Sequence, residues 1–411
     1  MYRFFVAICL AASIIVPTLA AARDIAGDWS GKLQAGSIAL KLVFHIPADD
    51  SAVTMDSPDQ GAFGIDGETV TLTNDSISFR IPKLMMTYNG ALKDGKLEGT
   101  FQQGGLKIPL VLERGVEKPK RPQTPQPPFP YKEEDVTISN TAASSSLSGT
   151  LTIPENADAS TPVVLLVSGS GLQNRDEELF EHRPFAVIAD YLARNGIASL
   201  RYDDRGCGKS TGDVTNATTA DFASDAKAAI EWLRGQKRFG KTGIIGHSEG
   251  GIIAYMLGAE KKGPDFIISL AGPAVKGAEI IAYQNKYSMM KAGIPEKSAE
   301  EKAEAAVKHL SMQSNPWMKY YLEYDPAAAL GSLKIPAFIV YGEKDMQVPH
   351  ALNLEPAKRL AKKAKIREYA DLNHLMQHAE TGDMSEYSTI EETISPELLS
   401  DIVTFIRSLL S

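Results

Sequence analysis

The chain has 411 residues, 43 Lys and Arg against 51 Asp and Glu, a formal net charge of -8 and 43% hydrophobic residues. That length implies about two domains, and the ordinary apolar content supports a sizeable core. An acidic chain without an extended basic run argues against nucleic acid as a partner.

Residues 1–22 have the pattern of a secretory signal peptide. Arg3 precedes an apolar run from Phe4 to Val16, and Thr18, Ala20, Ala21 and Ala22 form a small-residue exit. The run falls short of the roughly 20 residues that a spanning helix needs. Cleavage is expected after Ala22 or Ala20, which places the chain in the periplasm or outside the cell. A lipid anchor at Cys9 is disfavoured, because Ile8 is bulky where a small residue is wanted and Cys9 comes too early. Once the leader is removed, Cys207 has no second cysteine to pair with, so core burial must supply the stability.

Residues 23–114 carry period-two patterning. Ile38, Leu40, Leu42, Phe44 and Ile46 alternate with mixed residues, as do Val70 and Leu72, Ile77, Phe79 and Ile81, and Ile108, Leu110 and Leu112. Turn signals stand at Asn74-Asp75, Asn89-Gly90, Asp94-Gly95 and Gly104-Gly105. The expectation is an all-β meander, closed or half-closed into a small barrel, with no catalytic cluster. Pro119, Pro122, Pro125, Pro127, Pro128 and Pro130 then mark residues 115–130 as a semi-extended linker.

From Tyr131 to Ser411 the pattern changes. Strand-like runs near Val136–Ser139 and Leu147–Ile153 lead into short apolar strands at Val163–Val167, Ile197–Tyr202, Gly243–Ile245, Phe266–Leu270, Ala337–Tyr341 and Ile366–Tyr369. Helical segments separate them, near Pro184–Arg194, Asp221–Arg234, Gly250–Gly258, Ala351–Lys362 and Pro396–Leu410. Apolar strands between amphipathic helices predict an α/β domain with a mostly parallel sheet covered on both faces. Residues 273–333 exceed what the sheet needs. They read as a helical cap whose soft surface includes Met289, Met290, Met312, Met318, Tyr283, Tyr287, Trp317, Tyr320, Tyr321 and Tyr324.

The chemistry centres on Ile244-Ile245-Gly246-His247-Ser248-Glu249-Gly250-Gly251. A sharp strand-to-helix turn needs residues without Cβ on either side, and Gly246 and Gly250 supply them. Such a nucleophile elbow presents the Ser248 hydroxyl and aims the Glu249 amide at a developing oxyanion. Serine needs a base, and the base an orienting carboxylate, in the chain order Ser, acid, His. Asp345 follows the next-to-last strand and is preferred over Glu343. His374 follows the last strand and is preferred over His378. The second oxyanion donor is expected in Ser168-Gly169-Ser170-Gly171, at the Ser170 amide. His374 and His378 stand four apart, but Leu375 occupies the place of a zincin glutamate and no third ligand is in view. The stretch Arg205-Gly206-Cys207-Gly208-Lys209-Ser210-Thr211 ends like a phosphate-binding loop, yet Asp203 stands where that motif requires glycine.

Together Gly246-His247-Ser248-Glu249-Gly250, Asp345, His374 and the loop Asp203-Asp204-Arg205-Gly206-Cys207-Gly208-Lys209-Ser210 resemble the α/β-hydrolase superfamily over roughly Tyr131 to Ser411. Within it the chain is similar to a secreted bacterial branch described as serine aminopeptidase-like or esterase-like, with an N-terminal β domain. The oxyanion loop reads Ser168-Gly169-Ser170-Gly171 where many members have His-Gly. The resemblance implies a serine hydrolase that needs no cofactor or metal and acts on a small-molecule ester. The alternative is a serine exopeptidase on the same triad, acting on short peptides, with an ammonium held by Glu249, Glu279, Glu300 or Glu304. A binding protein on a retired hydrolase fold is a third reading. Oligomeric state is left open.

Overall fold

The computed structural model describes residues 25–35, 38–49, 51–58, 62–115 and 120–410. The expected signal peptide and cleavage site, residues 116–119 of the expected linker, and the side chain of Ile38 lie outside the described residues. The chain divides into two compact units, Met1–Lys118 and Pro119–Ser411.

The first unit holds one antiparallel sheet of nine strands: β1 (Gly27–Ala35), β2 (Ile38–Ile46), β3 (Thr54–Ser57), β4 (Ala62–Asp66), β5 (Glu68–Leu72), β6 (Ser76–Ile81), β7 (Met86–Lys93), β8 (Lys96–Gln103) and β9 (Leu106–Arg114). Their order is β4-β3-β2-β1-β9-β8-β7-β6-β5. The two edge strands are therefore sequence neighbours, joined through Gly67, which makes the sheet a nearly closed barrel. Leu42, Phe44, Ile77, Phe79, Leu110 and Leu112 fill its interior. Val70 departs from the expected pattern and is exposed, because the register shifts between Thr69 and Thr71 and leaves Val70 as the extra residue of a bulge.

Asn89-Gly90 is likewise not a turn but the interior of β7, paired with Thr100 and Gly99 of β8. The two glycines make room for Tyr88. A Cβ on Gly90 would lie 2.7 Å from its ring, and one on Gly99 would collide with the ring and with the Asn89 carbonyl. The buried Tyr88 hydroxyl donates to the Leu97 and Leu110 carbonyls, both at 3.3 Å.

The second unit contains β10 (Tyr131–Asn140), β11 (Ser145–Pro154), β12 (Val163–Val167), β13 (Ala198–Tyr202), β14 (Thr242–His247), β15 (Phe266–Leu270), β16 (Ala337–Gly342) and β17 (Lys365–Tyr369). They order as β10-β11-β13-β12-β14-β15-β16-β17. The first two strands form a hairpin that joins antiparallel to β13, and the remaining pairings are parallel. One face packs on α1 (Pro184–Arg194) and α9 (Pro396–Ser408), the other on α2 (Thr219–Gly235), α3 (Glu249–Gly258) and α8 (His350–Leu360). Strands β12 to β16 are buried at every position, which explains their unbroken apolar runs. Between β15 and β16 the cap contributes α4 (Gly277–Lys291), α5 (Glu296–Gln313), α6 (Pro316–Glu323) and α7 (Ala327–Ser332). No helix among the described residues is long and apolar enough to cross a membrane.

The proline-rich segment departs from a free tether over its described part. Arg121 donates to the Phe180 carbonyl at 2.7 Å, Ile390 at 2.8 Å and Ser388 at 3.0 Å. Gln123 donates to the Ile394 carbonyl at 2.7 Å and accepts from the Thr393 amide. Proline spacing sets an extended backbone but does not say what that backbone touches. Here two polar side chains fasten it as a strap across the loops that follow β12 and β17.

Candidate active site

Ser248 sits between β14 and α3 with φ 52° and ψ -117°, a left-handed conformation unusual for a residue with a side chain. The flanking glycines permit it. A Cβ on Gly246 would strike the Gly250 carbonyl, and one on Gly250 would strike the Val167 carbonyl of β12. The strand, the bend and the helix start are thus pressed together at backbone contact.

Asp345 follows β16 and is buried. Its Oδ1 accepts from the amides of Gln347 and Val348, both at 2.8 Å, and its Oδ2 accepts from His374 Nδ1 at 2.8 Å. This fixes the imidazole with its other nitrogen left for chemistry. The alternatives fall elsewhere. Glu343 is exposed, and the half-exposed His378 pairs with Glu392 at 2.7 Å.

Ser248 and His374 line one cavity of about 260 Å³. Its wall includes Gly169 and Ser170 from the loop after β12, Val348 from the loop after β16, and Ile281, Gln284, Trp317, Met318 and Tyr321 from the cap. Of the cap aromatics and methionines singled out in the sequence, Trp317, Met318 and Tyr321 reach the wall. Met290 and Met312 face outward, since α4 and α5 spend one side on each other. Among the described lining residues Glu177 is the one acidic side chain, and no Lys or Arg takes part.

The amide of Gly169 donates to Glu177 Oε1 at 2.6 Å, which leaves Ser170 as the next amide of that loop. Glu249 opens α3, where the first amides have no partner within the helix. Its carboxyl group points into protein: it accepts from Thr219 at 2.6 Å, from the Trp317 indole at 2.9 Å and from the Ser170 side chain. Burial raises its pKa against these donors. Glu249 therefore ties the cap to the elbow and is not open to hold an ammonium. Glu279, Glu300 and Glu304 are exposed and do not line the cavity.

The loop that resembled a phosphate site is a brace. Asp203 binds Arg175 at 2.8 Å, and its carboxylate occupies the space that a Cβ on Gly208 would need. Asp204 accepts from Ser168 and from the Gln173 amide, and burial lifts its pKa to about 7. Arg205 pairs with buried Asp225 at 2.6 Å. The Asp203 and Asp204 contacts hold the loop after β12 from behind, while Arg205 fastens the brace to α2.

Sequence reasoning did not find Glu177 and His247. His247 Nδ1 donates to Glu177 Oε1 at 2.9 Å and Nε2 to the His374 carbonyl at 2.8 Å. Burial alone would lower the His247 pKa, but the Glu177 carboxylate and the His374 carbonyl overcome it and raise the value to about 9. A histidine inside the apolar run before Ser248 was the one signal the sequence carried.

Comparisons with known proteins bear on this geometry. Residues 144–296 match the X-Pro dipeptidyl-peptidase (S15) family, and residues 227–382 match the C-terminal domain of the BAAT/acyl-CoA thioester hydrolase family. The chain is an α/β-hydrolase of the serine-hydrolase type. It is 28% identical over 297 residues to esterase EstD of Thermotoga maritima, covering 69% of this chain and 67% of that protein. It is also 28% identical over 110 residues to an acyl transferase of Photobacterium leiognathi, covering 26% of this chain and 33% of that one. Among solved structures, the Pyrococcus furiosus esterase Pf2001 aligns with a TM-score of 0.47 at 20% identity, over 72% of this hydrolase and all of that chain.

The raised His247 pKa makes stability pH-dependent. The folded state holds this proton more tightly than the unfolded chain, so the stabilisation is complete below about pH 6.5 and is lost as pH rises through about 9. Asp204 acts with the same sign at lower pH and is finished by about 7. Chemical denaturation between pH 7 and 9 is expected to show unfolding free energy falling by at most about 1.4 kcal/mol per pH unit from His247. A flat profile over that window would contradict the charged assignment.

Proposed function

We propose that this hydrolase cleaves small, uncharged carboxylic esters through an acyl-enzyme. Ser248 attacks the acyl carbon while His374 takes its proton, and Asp345 holds the imidazole in orientation. The amides of Ser170 and Glu249 receive the developing oxyanion. His374 then returns its proton to the leaving alcohol, and a water activated by the same imidazole releases the acid. The observation that carries this reading is the buried Asp345–His374 pair at the wall that Ser248 shares. The relationship to EstD, named an esterase, agrees with it.

The lining favours neutral esters. Its cap side is apolar and aromatic apart from Gln284, with Trp317 and Tyr321 stacked at 5.7 Å, and the described lining residues offer no Lys or Arg to a charged acyl group. The match to an X-Pro dipeptidyl-peptidase family supports a peptidase as the second reading. That chemistry needs a carboxylate for the substrate ammonium. Glu249 is satisfied by three donors, and Glu177 already balances the charge of His247 and accepts from Gly169 through Oε1, so esters are preferred. We also infer export of the enzyme with loss of residues 1–22.

Ser248→Ala is expected to abolish hydrolysis of short aryl esters in a protein that still folds, and to lose labelling by a fluorophosphonate probe; near-normal turnover would end the reading. An aminoacyl anilide should turn over at least about 100-fold more slowly than the matched ester, because the one acidic side chain among the described lining residues, Glu177, already balances the charge of His247. Comparable rates would favour the peptidase. N-terminal sequencing of the protein recovered outside the cytoplasm is expected to begin at Arg23 or Ala21, and an intact Met1 would contradict export with cleavage.

A further inference from the structure

We propose that Glu177 and His247 form a charged clamp that positions the oxyanion loop against the backbone of the catalytic base. The clamp rests on the ester hydrolase proposed above. One carboxylate oxygen, Glu177 Oε1, accepts from both the Gly169 amide and His247 Nδ1, at 2.6 and 2.9 Å. His247 Nε2 then donates to the His374 carbonyl at 2.8 Å. A single chain of three hydrogen bonds thus joins the loop after β12, the residue before Ser248 and the residue that supplies the base.

Chemistry sets the charge state. The ring meets an oxygen acceptor at each nitrogen, a carboxylate on one side and a carbonyl on the other. A neutral imidazole would turn a lone pair toward one of them, whereas an imidazolium satisfies both. Both side chains are buried, so each charge depends on the other. The other groups facing His247 are the His374 ring, centred 4.8 Å away, and, at longer range, Asp345.

The backbone that delivers Glu177 is itself constrained. Glu177, Phe180 and Glu181 all have positive φ, between 51° and 62°. Such a run of left-handed residues persists only where surrounding contacts enforce it. Arg121 supplies one, through the Phe180 carbonyl, and Arg201 supplies another by pairing with Asp176. Glu177 and His247 are positioning residues. They draw Gly169 back so that the Ser170 amide is the one offered to the oxyanion, and they keep that amide in register with His374.

Glu177→Gln is the test, since the amide keeps its shape and can accept from Gly169 but removes the charge that holds the His247 proton. Ester hydrolysis followed from pH 6 to 10 is expected to show kcat at pH 8 reduced on the order of 10- to 100-fold, with KM within about threefold. The alkaline limb should move from near 9 toward neutrality. A kcat within twofold of wild type throughout, or a loss by one constant factor at every pH, overturns the clamp. Should the variant fail to fold, imidazole ¹⁵N resonances of the wild-type enzyme decide instead: a doubly protonated His247 at pH 7.5 supports the proposal and a neutral ring overturns it. Activity surviving in Ser248→Ala would remove the esterase reading, while the charge state of His247 measured by those resonances would still decide the clamp.

Discussion

Everything at the active site follows from one steric constraint, the close passage of backbone at Gly246 and Gly250. Each glycine meets a carbonyl where any side chain would collide. That contact forces β14 to bend sharply, holds Ser248 in its left-handed conformation, and starts α3 at the next residue. The bend also fixes the level at which the other groups must arrive. Loops after β12, β16 and β17 reach it because these strands are parallel to β14 in one sheet. The sheet therefore brings together residues as far apart in sequence as Ser170 and His374 without a dedicated framework for each.

Polar groups around this bend are unusually buried, and each is satisfied by others on neighbouring loops. Asp345 accepts three hydrogen bonds, Glu249 binds three donors, and Asp203, Asp204 and Asp225 each hold a separate segment. Desolvated carboxylates are costly unless paired, so such a network has few alternative arrangements. Its effect is geometric specificity rather than net stability. The same saturation bears on substrate choice, because carboxylates that could have met a positive substrate are committed to protein partners.

Much of this was legible in the sequence where local pattern and topology coincide. Val163–Val167 and Phe266–Leu270 were placed to the residue, because buried parallel strands are short apolar runs bounded by turns. The meeting of Asp345 and His374 could be read because each follows its strand by a few residues; Glu343 and His378 satisfy the same chain order, and only the structure sets them apart. The partnership of Glu177 with His247 could not, since it joins positions 70 apart and neither belongs to a periodic pattern. Glycine was read correctly at the elbow and wrongly at Gly90, where its task is to admit an aromatic ring rather than to turn the chain. Sequence reveals that a side chain is missing but not which neighbour needs the space.

The strap made by Arg121 and Gln123 alters where one module ends and the next begins. Composition draws the line after the last proline, yet the fastening residues lie before most of the prolines. A recombination event that swapped the β-rich module by cutting at Tyr131 would leave the carbonyls of Phe180, Ser388 and Ile390 without this guanidinium. The heritable unit of the hydrolase thus extends upstream of its first strand, and the prolines travel with the enzyme rather than with the barrel.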